Sequence, residues 1–256
     1  MIHPSAIVAP DARFGAGIRI GPYAVIEEDV VLGDGCVIAA HAVIKRHTRM
    51  GAHNRVAEHA VIGGDPQDFK FNPDCLSYTE IGNDNCFREG VTIHRGSRPG
   101  SATRLGNHCF LMVDCHVAHD CIIGDNVVIA NYTALAGEVV VEERAFISGL
   151  VSVHQFCRIG RNAIVSQSTR LTQDALPYCI TEGSPSRARG LNLVGLKRNG
   201  FSRETIGALK DAYRLLTSGI TLAEALAQMQ SMPEPHVQHL AAFITGSKRG
   251  FAHPPR

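Results

Sequence analysis

Large apolar side chains recur at every sixth residue along most of the chain. Each hexad predicts one short strand and one corner, and three hexads close a triangular coil of a parallel β-helix. Residues 18 positions apart then stack one strand spacing apart, about 4.8 Å. The first position of each hexad fills the axis, and it is occupied by Ile2, Val8, Phe14, Ile20, Ile26, Leu32, Ile38, Ile44, Met50, Val56 and Ile62, then by Ile81, Phe87 and Ile93, then by Leu105, Leu111, Val117, Ile123, Ile129, Leu135, Val141, Ile147, Val153, Ile159, Val165 and Leu171.

Two segments interrupt this repeat, which ends near Pro177. Residues 68–80 and 99–104 are predicted as loops that leave the solenoid, where functional residues are common. Further on, Ser202 is expected to cap a helix, Thr221 and Glu224 form a capping box, and a last helix is expected over 236–245. The expected domains are a mainly β, β-helix domain over residues 1–185 and an α-helical domain over 186–256 that caps it.

Composition and charge narrow the class of protein. The chain is 45% apolar, as in globular proteins. No apolar run approaches the ~18 residues of a membrane-spanning helix. The start, Met1-Ile2-His3-Pro4, does not resemble a signal peptide. We therefore expect a cytoplasmic protein without membrane insertion.

The charge is distributed unevenly between the two domains. Residues 186–256 contain ten Lys and Arg against four Asp and Glu, a net charge of +6, and the remainder carries −5. This asymmetry favours an acidic partner, although a solvated helical surface is an equally simple explanation. Nucleic acid is not an expected partner, because the body is acidic and no aromatic residues interleave with the basic ones.

The cysteines follow the repeat, since five of them occupy position five of a hexad, which also points inward. We expect these five to be small buried core residues and not metal ligands or disulfides. They are Cys36, Cys109, Cys115, Cys121 and Cys157.

The 18-residue stack brings three candidate catalytic residues together. His119, Gly137 and Gln155 occupy the same hexad position on successive coils, so they form one file along a corner. A histidine there can act as general base, and the N–H of a glycine can stabilise an oxyanion. Asp120 can orient the imidazole and stabilise its protonated form. A coincidence of corner residues remains the alternative.

A metal site is not expected. His116 and His119 are three residues apart on a strand and corner, so their side chains tend to point to opposite faces. A zinc site also needs further converging ligands. Other histidines have no local partner and are predicted to be surface residues of the corners, namely His41, His47, His53, His59 and His108.

Several blocks of the chain resemble the UDP-N-acetylglucosamine O-acyltransferase family of lipid A biosynthesis, and the resemblance covers essentially the whole chain. The blocks are Gly64-Asp-Pro-Gln-Asp-Phe-Lys70, Val91-Thr-Ile-His-Arg-Gly96, His116-Val-Ala-His-Asp-Cys121, Leu135-Ala-Gly137, Val153-His-Gln-Phe-Cys157 and Gly195-Leu-Lys-Arg-Asn-Gly-Phe-Ser202. The resemblance implies a left-handed parallel β-helix. It also implies a homotrimer with active sites between neighbouring subunits, without a metal or other cofactor.

The resemblance implies transfer of a 3-hydroxyacyl group from acyl carrier protein, a strongly acidic partner, to the 3-hydroxyl of UDP-N-acetylglucosamine. His119 would be the general base, Asp120 its orienting partner and Gly137 the oxyanion donor. The substrate-binding residues would be Asp68, Lys70, His116, His154, Gln155, Asn192 and Arg198.

Four positions depart from the family pattern. Glu138 replaces a usual histidine that contacts the sugar, and by the stack it lies over Asp120, so one of the two carboxyls is expected to have a raised pKa. Gln167 occupies the position that limits acyl-chain length, where it favours short to medium chains. Val194 replaces a nucleotide-binding Glu, and Asn199 replaces the second of two adjacent arginines.

Three alternatives stay open from the sequence. One is a divergent paralogue that acylates another UDP-amino sugar. The second is a sugar acetyltransferase that uses acyl-CoA. The third is a binding or structural trimer without activity, although the retained His119, Asp120, Gly137 and Lys70 speak against it.

Overall fold

The structure is a computed structural model that describes residues 1–254. Within this range the chain forms three sheets of short strands, followed by four helices. The first sheet contains β1 (Ile7–Val8), β4 (Val25–Ile26), β7 (Val43–Ile44), β10 (Val61–Gly64), β13 (Thr92–His94), β16 (His116–Val117), β19 (Ala134–Leu135), β22 (Ser152–Val153) and β25 (Arg170–Leu171). The second contains β2 (Arg13–Phe14), β5 (Val31–Leu32), β8 (Thr48–Met50), β11 (Tyr78–Ile81), β14 (Ala102–Leu105), β17 (Ile122–Ile123), β20 (Val140–Val141) and β23 (Arg158–Ile159). The third contains β3 (Arg19–Ile20), β6 (Val37–Ile38), β9 (Arg55–Val56), β12 (Cys86–Phe87), β15 (Phe110–Leu111), β18 (Val128–Ile129), β21 (Phe146–Ile147), β24 (Ile164–Val165), β26 (Cys179–Glu182) and β27 (Arg187–Leu191). The helices are α1 (Leu193–Arg198), α2 (Arg203–Leu215), α3 (Leu222–Ser231) and α4 (Pro235–Thr245).

From β1 to β25, successive strands belong to different sheets, and each strand pairs in parallel with the strand one coil away. Val117 pairs with Leu135, and Leu135 pairs with Val153, so the register advances by 18 residues per coil. The parallel β-helix expected from the hexads is confirmed, as is the left-handed form that the family resemblance implies.

Most corners turn through a residue with positive φ at position four of the hexad. Asp120 (φ 58°) and Glu138 (φ 59°) are two of these residues. A side chain in this left-handed region costs about 1 kcal/mol, and the coil imposes it at corner after corner. The backbone of the corner therefore fixes the positions of the Cβ atoms of Asp120 and Glu138.

The core of the β-helix consists of branched residues at position one and small residues at position five. Cys36, Cys109, Cys115, Cys121 and Cys157 are all buried there, as predicted. Burial raises the pKa of the Cys109 thiol to about 11 and that of Cys121 to about 12. These thiols are therefore held in the protonated, unreactive form.

The two interruptions of the repeat form one joined structure. Both end earlier than predicted, because β11 begins at Tyr78 and β14 at Ala102, where these two residues pair, and Thr79 pairs with both neighbouring coils. The N–H of Tyr78 donates to Ser101 O over 2.9 Å, and the N–H of Gly100 donates to Leu76 O over 2.8 Å. Residues 65–77 and 97–101 thus form two hydrogen-bonded loops, called here the first and second loops.

Helices α2 and α3 begin where the sequence predicts, and α4 begins one residue before the predicted start of the 236–245 helix. Ser202 caps α2 by accepting from the Thr205 N–H, and Thr221 and Glu224 complete the capping box of α3. Helix α1 was not predicted. The expected domain boundary at residues 185/186 falls between β26 and β27, which pair antiparallel on the third sheet.

The helices pack on the last coils of the β-helix. The buried Tyr178 hydroxyl lies 3.1 Å from His236 Nδ1 and 2.9 Å from His239 Nδ1, both on α4. The guanidinium of Arg158 lies 3.8 Å from the ring centroid of Phe243. None of the helices in residues 1–254 has the length and apolar character needed to cross a bilayer.

Candidate active site

The candidate site lies at the corner that follows the first sheet. His119, Gly137 and Gln155 each come two residues after the stacked residues Val117, Leu135 and Val153. The N–H of Glu138 donates to His119 O over 2.9 Å, and the N–H of Phe156 donates to Gly137 O over 3.2 Å. The predicted file is therefore present in the structure.

His119 and Asp120 form a hydrogen-bonded pair. His119 Nδ1 lies 2.9 Å from Asp120 Oδ2, and the side chains are only 15% and 5% exposed. An ionised carboxylate only accepts hydrogen bonds, so the proton of this pair lies on Nδ1. Nε2 then carries a free lone pair, which is the arrangement that a general base needs.

Asp120 is held in its ionised form by the second loop. Burial raises the pKa of this carboxyl, but hydrogen bonds from Ser101, Ser97 and His119 outweigh burial, and the pKa lies below its usual value. The hydroxyl of Ser97 donates to Asp120 Oδ2 over 2.6 Å, and its N–H donates over 3.1 Å. The Asp120 N–H donates to Thr103 Oγ1 over 2.7 Å.

Gly137 is buried on the coil above His119, against the imidazole of that residue. A Cβ on Gly137 would lie 2.5 Å from both Cε1 and Nε2 of that ring, so only glycine allows this approach. Among residues 1–254, no backbone oxygen or side chain accepts a hydrogen bond from the Gly137 N–H. This donor is therefore available beside the base.

Glu138 lies next to this pair and is bound by Arg98 of the second loop. Arg98 Nη1 donates to Glu138 Oε1 over 2.6 Å, and Nη2 lies 3.7 Å from Asp120 Oδ1. The stacking of Glu138 over Asp120 predicted a raised pKa for one of them. For Asp120 the direction is the opposite, because the hydrogen bonds from Ser101, Ser97 and His119 stabilise its charge.

Two further histidines lie on the coils at this corner. His116 Nδ1 is 2.8 Å from Thr92 Oγ1, and the ring of His116 contacts that of His94 edge to face, with centroids 4.6 Å apart. Burial, followed by the charges of His116 and His119, lowers the pKa of His94 to about 4, and burial also lowers the pKa of His116. His94 is therefore neutral at pH 7, and its buried Nδ1 has no hydrogen-bond partner within the described residues.

Asp68 and Lys70 lie exposed on the first loop, which is anchored on the buried Arg95. Arg95 donates to Cys75 O over 2.5 Å and to Pro73 O over 2.9 Å, and its Nε lies 2.9 Å from Asp65 Oδ1. Arg95 comes two residues after Ile93, which pairs with Val117, so it occupies the file directly below His119. The loop is thus attached to the coil next to the candidate base.

His154 and Gln155 continue the corner above Gly137. His154 is exposed and its Nδ1 lies 3.1 Å from Gln155 O, while Gln155 is half-buried. Both remain predicted substrate-binding residues.

Gln167, Asn192 and Arg198 lie elsewhere on the chain. Gln167 follows β24, so it is exposed at the corner after the third sheet. Asn192 is buried as the cap of α1, where it accepts from the Gly195 N–H and donates to Asn162 O over 3.0 Å. Arg198 is exposed at the end of that helix. One chain therefore does not bring these residues to the His119 corner.

The two remaining departures are both exposed on or beside α1. Val194 is 70% exposed, and Asn199 donates to Asn162 Oδ1 over 2.5 Å. Asn199 is thus used in holding the helix end onto the β-helix. Across residues 1–254, no group of three or more His, Cys, Asp and Glu side chains is arranged to hold a metal ion.

Sequence reasoning missed His94, Arg95, Ser97, Arg98 and Ser101. All five lie just before or within the second loop, where the insertion changes the stacking interval. Ile93 pairs with Val117 at an interval of 24 residues and not 18. A count that allowed for the inserted residues would have found His94 and Arg95, but the loop itself carries no periodic signal.

Comparisons with known proteins agree with this architecture. A family model for bacterial transferase hexapeptide repeats matches residues 11–46 and 102–137, and one described as UDP N-acetylglucosamine O-acyltransferase, domain 2, matches residues 174–252. A relative from Alkalilimnicola ehrlichii, named acyl-[acyl-carrier-protein]–UDP-N-acetylglucosamine O-acyltransferase, is 51% identical over 253 residues, which are 97% of this chain and 98% of the relative. A Synechocystis relative of the same name is 46% identical over 188 residues, covering 73% of this chain and 68% of the relative.

Two solved structures show the same fold over the whole chain. The UDP-N-acetylglucosamine acyltransferase of Francisella novicida matches with a TM-score of 0.96 at 34% identity, covering 100% of this chain and 95% of the other. That of Campylobacter jejuni matches with a TM-score of 0.94 at 34% identity, covering 100% of both chains.

The β-helix, with a histidine–aspartate pair and a glycine at one corner, defines this protein as a hexapeptide-repeat acyltransferase. Within that class, the chain belongs to the UDP-N-acetylglucosamine O-acyltransferase family. This membership favours an O-acyltransferase that uses acyl carrier protein over the alternative of a sugar acetyltransferase that uses acyl-CoA.

Proposed function

We propose that this protein transfers a 3-hydroxyacyl group, of short to medium length, from acyl carrier protein to the 3-hydroxyl of UDP-N-acetylglucosamine. The observation that carries the proposal is the placement of His119 between the Asp120 carboxylate and the free N–H of Gly137. Family membership supplies the identity of donor and acceptor.

The geometry supports direct transfer without an acyl-enzyme. Nε2 of His119 accepts the proton of the sugar hydroxyl while its oxygen attacks the thioester carbonyl. The oxyanion that forms is stabilised by the Gly137 N–H. The intermediate then expels the thiolate of the carrier, which takes the proton from the imidazolium, and Asp120 stabilises that imidazolium while it exists.

The surrounding residues are suited to a sugar nucleotide. Lys70, on the anchored first loop, provides a cation, and Asp68 accepts from the Lys70 N–H over 2.9 Å and shapes the turn that presents it. His116, Glu138 and His154 lie beside the file, and together with Gln155 of the file they provide further polar groups. We assign all six to substrate binding.

We further propose that the active enzyme is a homotrimer. Gln167 and Arg198 lie away from the His119 corner within one chain, so they reach the same substrate only when a second copy contributes them. Three copies with parallel axes would place a corner of each against a face of the next. Asn192 would contribute by holding α1, which carries Arg198.

The basic helical domain is the proposed contact for acyl carrier protein. Exposed cations lie along α1 and α2, at Lys197, Arg198, Arg203, Lys210 and Arg214. An acidic carrier would be attracted to this surface. The buried, reduced cysteines suit the cytoplasm, which is the proposed location.

The test is a mass-spectrometric assay with UDP-N-acetylglucosamine and a ladder of 3-hydroxyacyl and plain acyl carrier proteins. We expect one acylated product with a maximum at one chain length. His119→Ala should lower the rate by a factor of about 10² to 10⁴, whereas the exposed corner residue His108→Ala should not lower it. Absence of product with every donor, from a folded wild-type protein, would contradict the proposal.

A further inference from the structure

The second loop brings one cation to the candidate base. Arg98 lies between Glu138, 2.6 Å from Nη1, and Asp120, 3.7 Å from Nη2. The loop itself is fixed there, because the Arg98 N–H donates to Ser101 Oγ over 3.0 Å and Ser97 donates twice to Asp120. The position of Arg98 is thus set by the same loop that orients Asp120.

The two oxygens of Asp120 are in different surroundings. Oδ2 accepts hydrogen bonds from Ser97 and His119, whereas Oδ1 is buried and none of the described residues donates a well-aligned hydrogen bond to it, although the nearby Ser101 side chain also stabilises the carboxylate charge. A buried carboxylate oxygen without a donor is costly unless a nearby charge compensates it. Arg98 Nη2 is the compensating charge at this oxygen.

Glu138 holds the guanidinium in this place. Its backbone is fixed by the N–H donated to His119 O, and its position at the corner places its carboxylate beside Asp120. Without a cation, the two carboxylates would repel each other, and both negative charges would stabilise the protonated form of His119. With Arg98 between them, the two acids and the cation together carry one net negative charge.

We propose that Arg98 is a positioning residue for the His119–Asp120 pair, and that the Arg98–Glu138 ion pair sets the pH range in which His119 acts as a base. This inference rests on the proposed function. The charged and titratable groups that face His119 are Asp120 and His116 on its own coil, Glu138 above, Arg95 below, and His94, Arg98 and Asp65 on the side of the two loops.

The proposal predicts that removing Arg98 and removing the charge of Glu138 shift the acidic limb of the pH profile in opposite directions. Removing the cation leaves Glu138 and Asp120 to stabilise the imidazolium, so the acidic limb of the kcat/KM profile should move to higher pH. Removing the Glu138 charge leaves Arg98 uncompensated, so the limb should move to lower pH. Each shift should be about half a pH unit, since the side chains are partly exposed to water.

The experiment compares Arg98→Met, Glu138→Gln and the double variant, with kcat, KM and pH profiles for each. We expect Arg98→Met to lower kcat about tenfold through poorer alignment of Asp120, and Arg98→Lys to restore the limb because it restores the charge. The double variant should return the limb close to its wild-type position. Arg104→Met, which breaks an exposed ion pair with Glu80 on the second sheet, is the matched control and should leave the limb unmoved.

A second readout does not depend on turnover. In protein with isotope-labelled histidine, the ring signal of His119 is the one that is missing in His119→Ala. Its titration midpoint should move to higher pH in Arg98→Met and to lower pH in Glu138→Gln. If the wild-type enzyme forms no product, the proposed function fails, while this titration still tests the ion pair. Midpoints that stay unchanged in both single variants, or that move in the same direction, would overturn the inference. Arg98 is 58% exposed, so its replacement leaves no cavity in the core.

Discussion

The imidazole of His119 lies directly against the α-carbon of Gly137, so that a Cβ there would come within 2.5 Å of Nε2. Substitution Gly137→Ala should therefore push the ring away from Asp120 and from the oxyanion donor. We expect kcat to fall about a hundredfold or more, since a displacement of 1 Å is enough for such a loss. Steady-state kinetics of folded protein test this.

The matched control for this substitution is Gly149→Ala in the same β-helix. Its added Cβ would meet only Asn131 O, at 3.2 Å, which a small adjustment relieves. Near wild-type kcat in Gly137→Ala would show that the ring and the glycine are not arranged as described.

His94 should make the protein less stable in acid. Its pKa is about 4 when folded and near 6.5 when unfolded, so between these values the unfolded state binds a proton that the native state does not. Stability is complete above pH 6.5 and falls as the pH decreases to about 4, by on the order of 3 kcal/mol. Urea unfolding of wild type and His94→Gln at pH 7 and 4.5 measures this difference.

The exposed His108→Gln is the control for this measurement and should keep the wild-type loss between the two pH values. His94→Gln should lose less stability on acidification than the wild type does. An equal loss in both proteins would remove His94 as the cause.

Arg95 should hold the first loop in place. Arg95→Met leaves the carbonyl of Cys75 without its charged donor and that of Pro73 with Arg46 as its one charged donor, and each lost bond is worth about 1.5–3 kcal/mol. We expect faster trypsin cleavage after the exposed Lys70 and a KM for the sugar nucleotide raised about tenfold, because Lys70 is less well positioned. Limited proteolysis and kinetics check both effects.

Arg46→Met is the corresponding control. Arg46 donates to the same Pro73 carbonyl over 2.8 Å, but from the partly exposed side of the loop. Its removal should have a smaller effect on cleavage. If trypsin cut Arg95→Met no faster than wild type, the anchoring role would be lost.

Gln167 should limit the length of the acyl chain. Gln167→Gly removes an exposed amide that we propose lies against the chain end, and the adjacent Ser168 already supplies the positive φ of this corner, so the backbone is preserved. We expect the preferred acyl chain to become longer by several carbons, which mass spectrometry across the donor ladder measures. Gln167→Glu keeps the size and should keep the profile, and an unshifted profile in Gln167→Gly would count against this role.

The period of the chain explains which parts of the site could be predicted. His119, Gly137 and Gln155 are separated by uninterrupted hexads, so counting placed them in one file. Glu138 was placed beside Asp120 in the same way, but its partner Arg98 was not found. Arg98 belongs to the second loop, and an inserted loop takes its position from hydrogen bonds and not from the repeat.

The same limit applies to Asn192. Its residue type is compatible with both substrate binding and helix capping, and only the structure shows its amide bound to Gly195 and Asn162. Helix α1 was missed because it has only six residues, too few for an apolar period. By contrast, the capping signals at Ser202 and Thr221 are local and could be found without any tertiary information.

The regular coils between β16 and β25 determine which changes in chain length the enzyme can tolerate. Loss or gain of one residue between His119 and Gly137 would turn the core side chains outward and carry the glycine off its corner. Length variation in this enzyme should therefore accumulate in the two loops before His119, while the segment that follows keeps a constant length even where its side chains diverge.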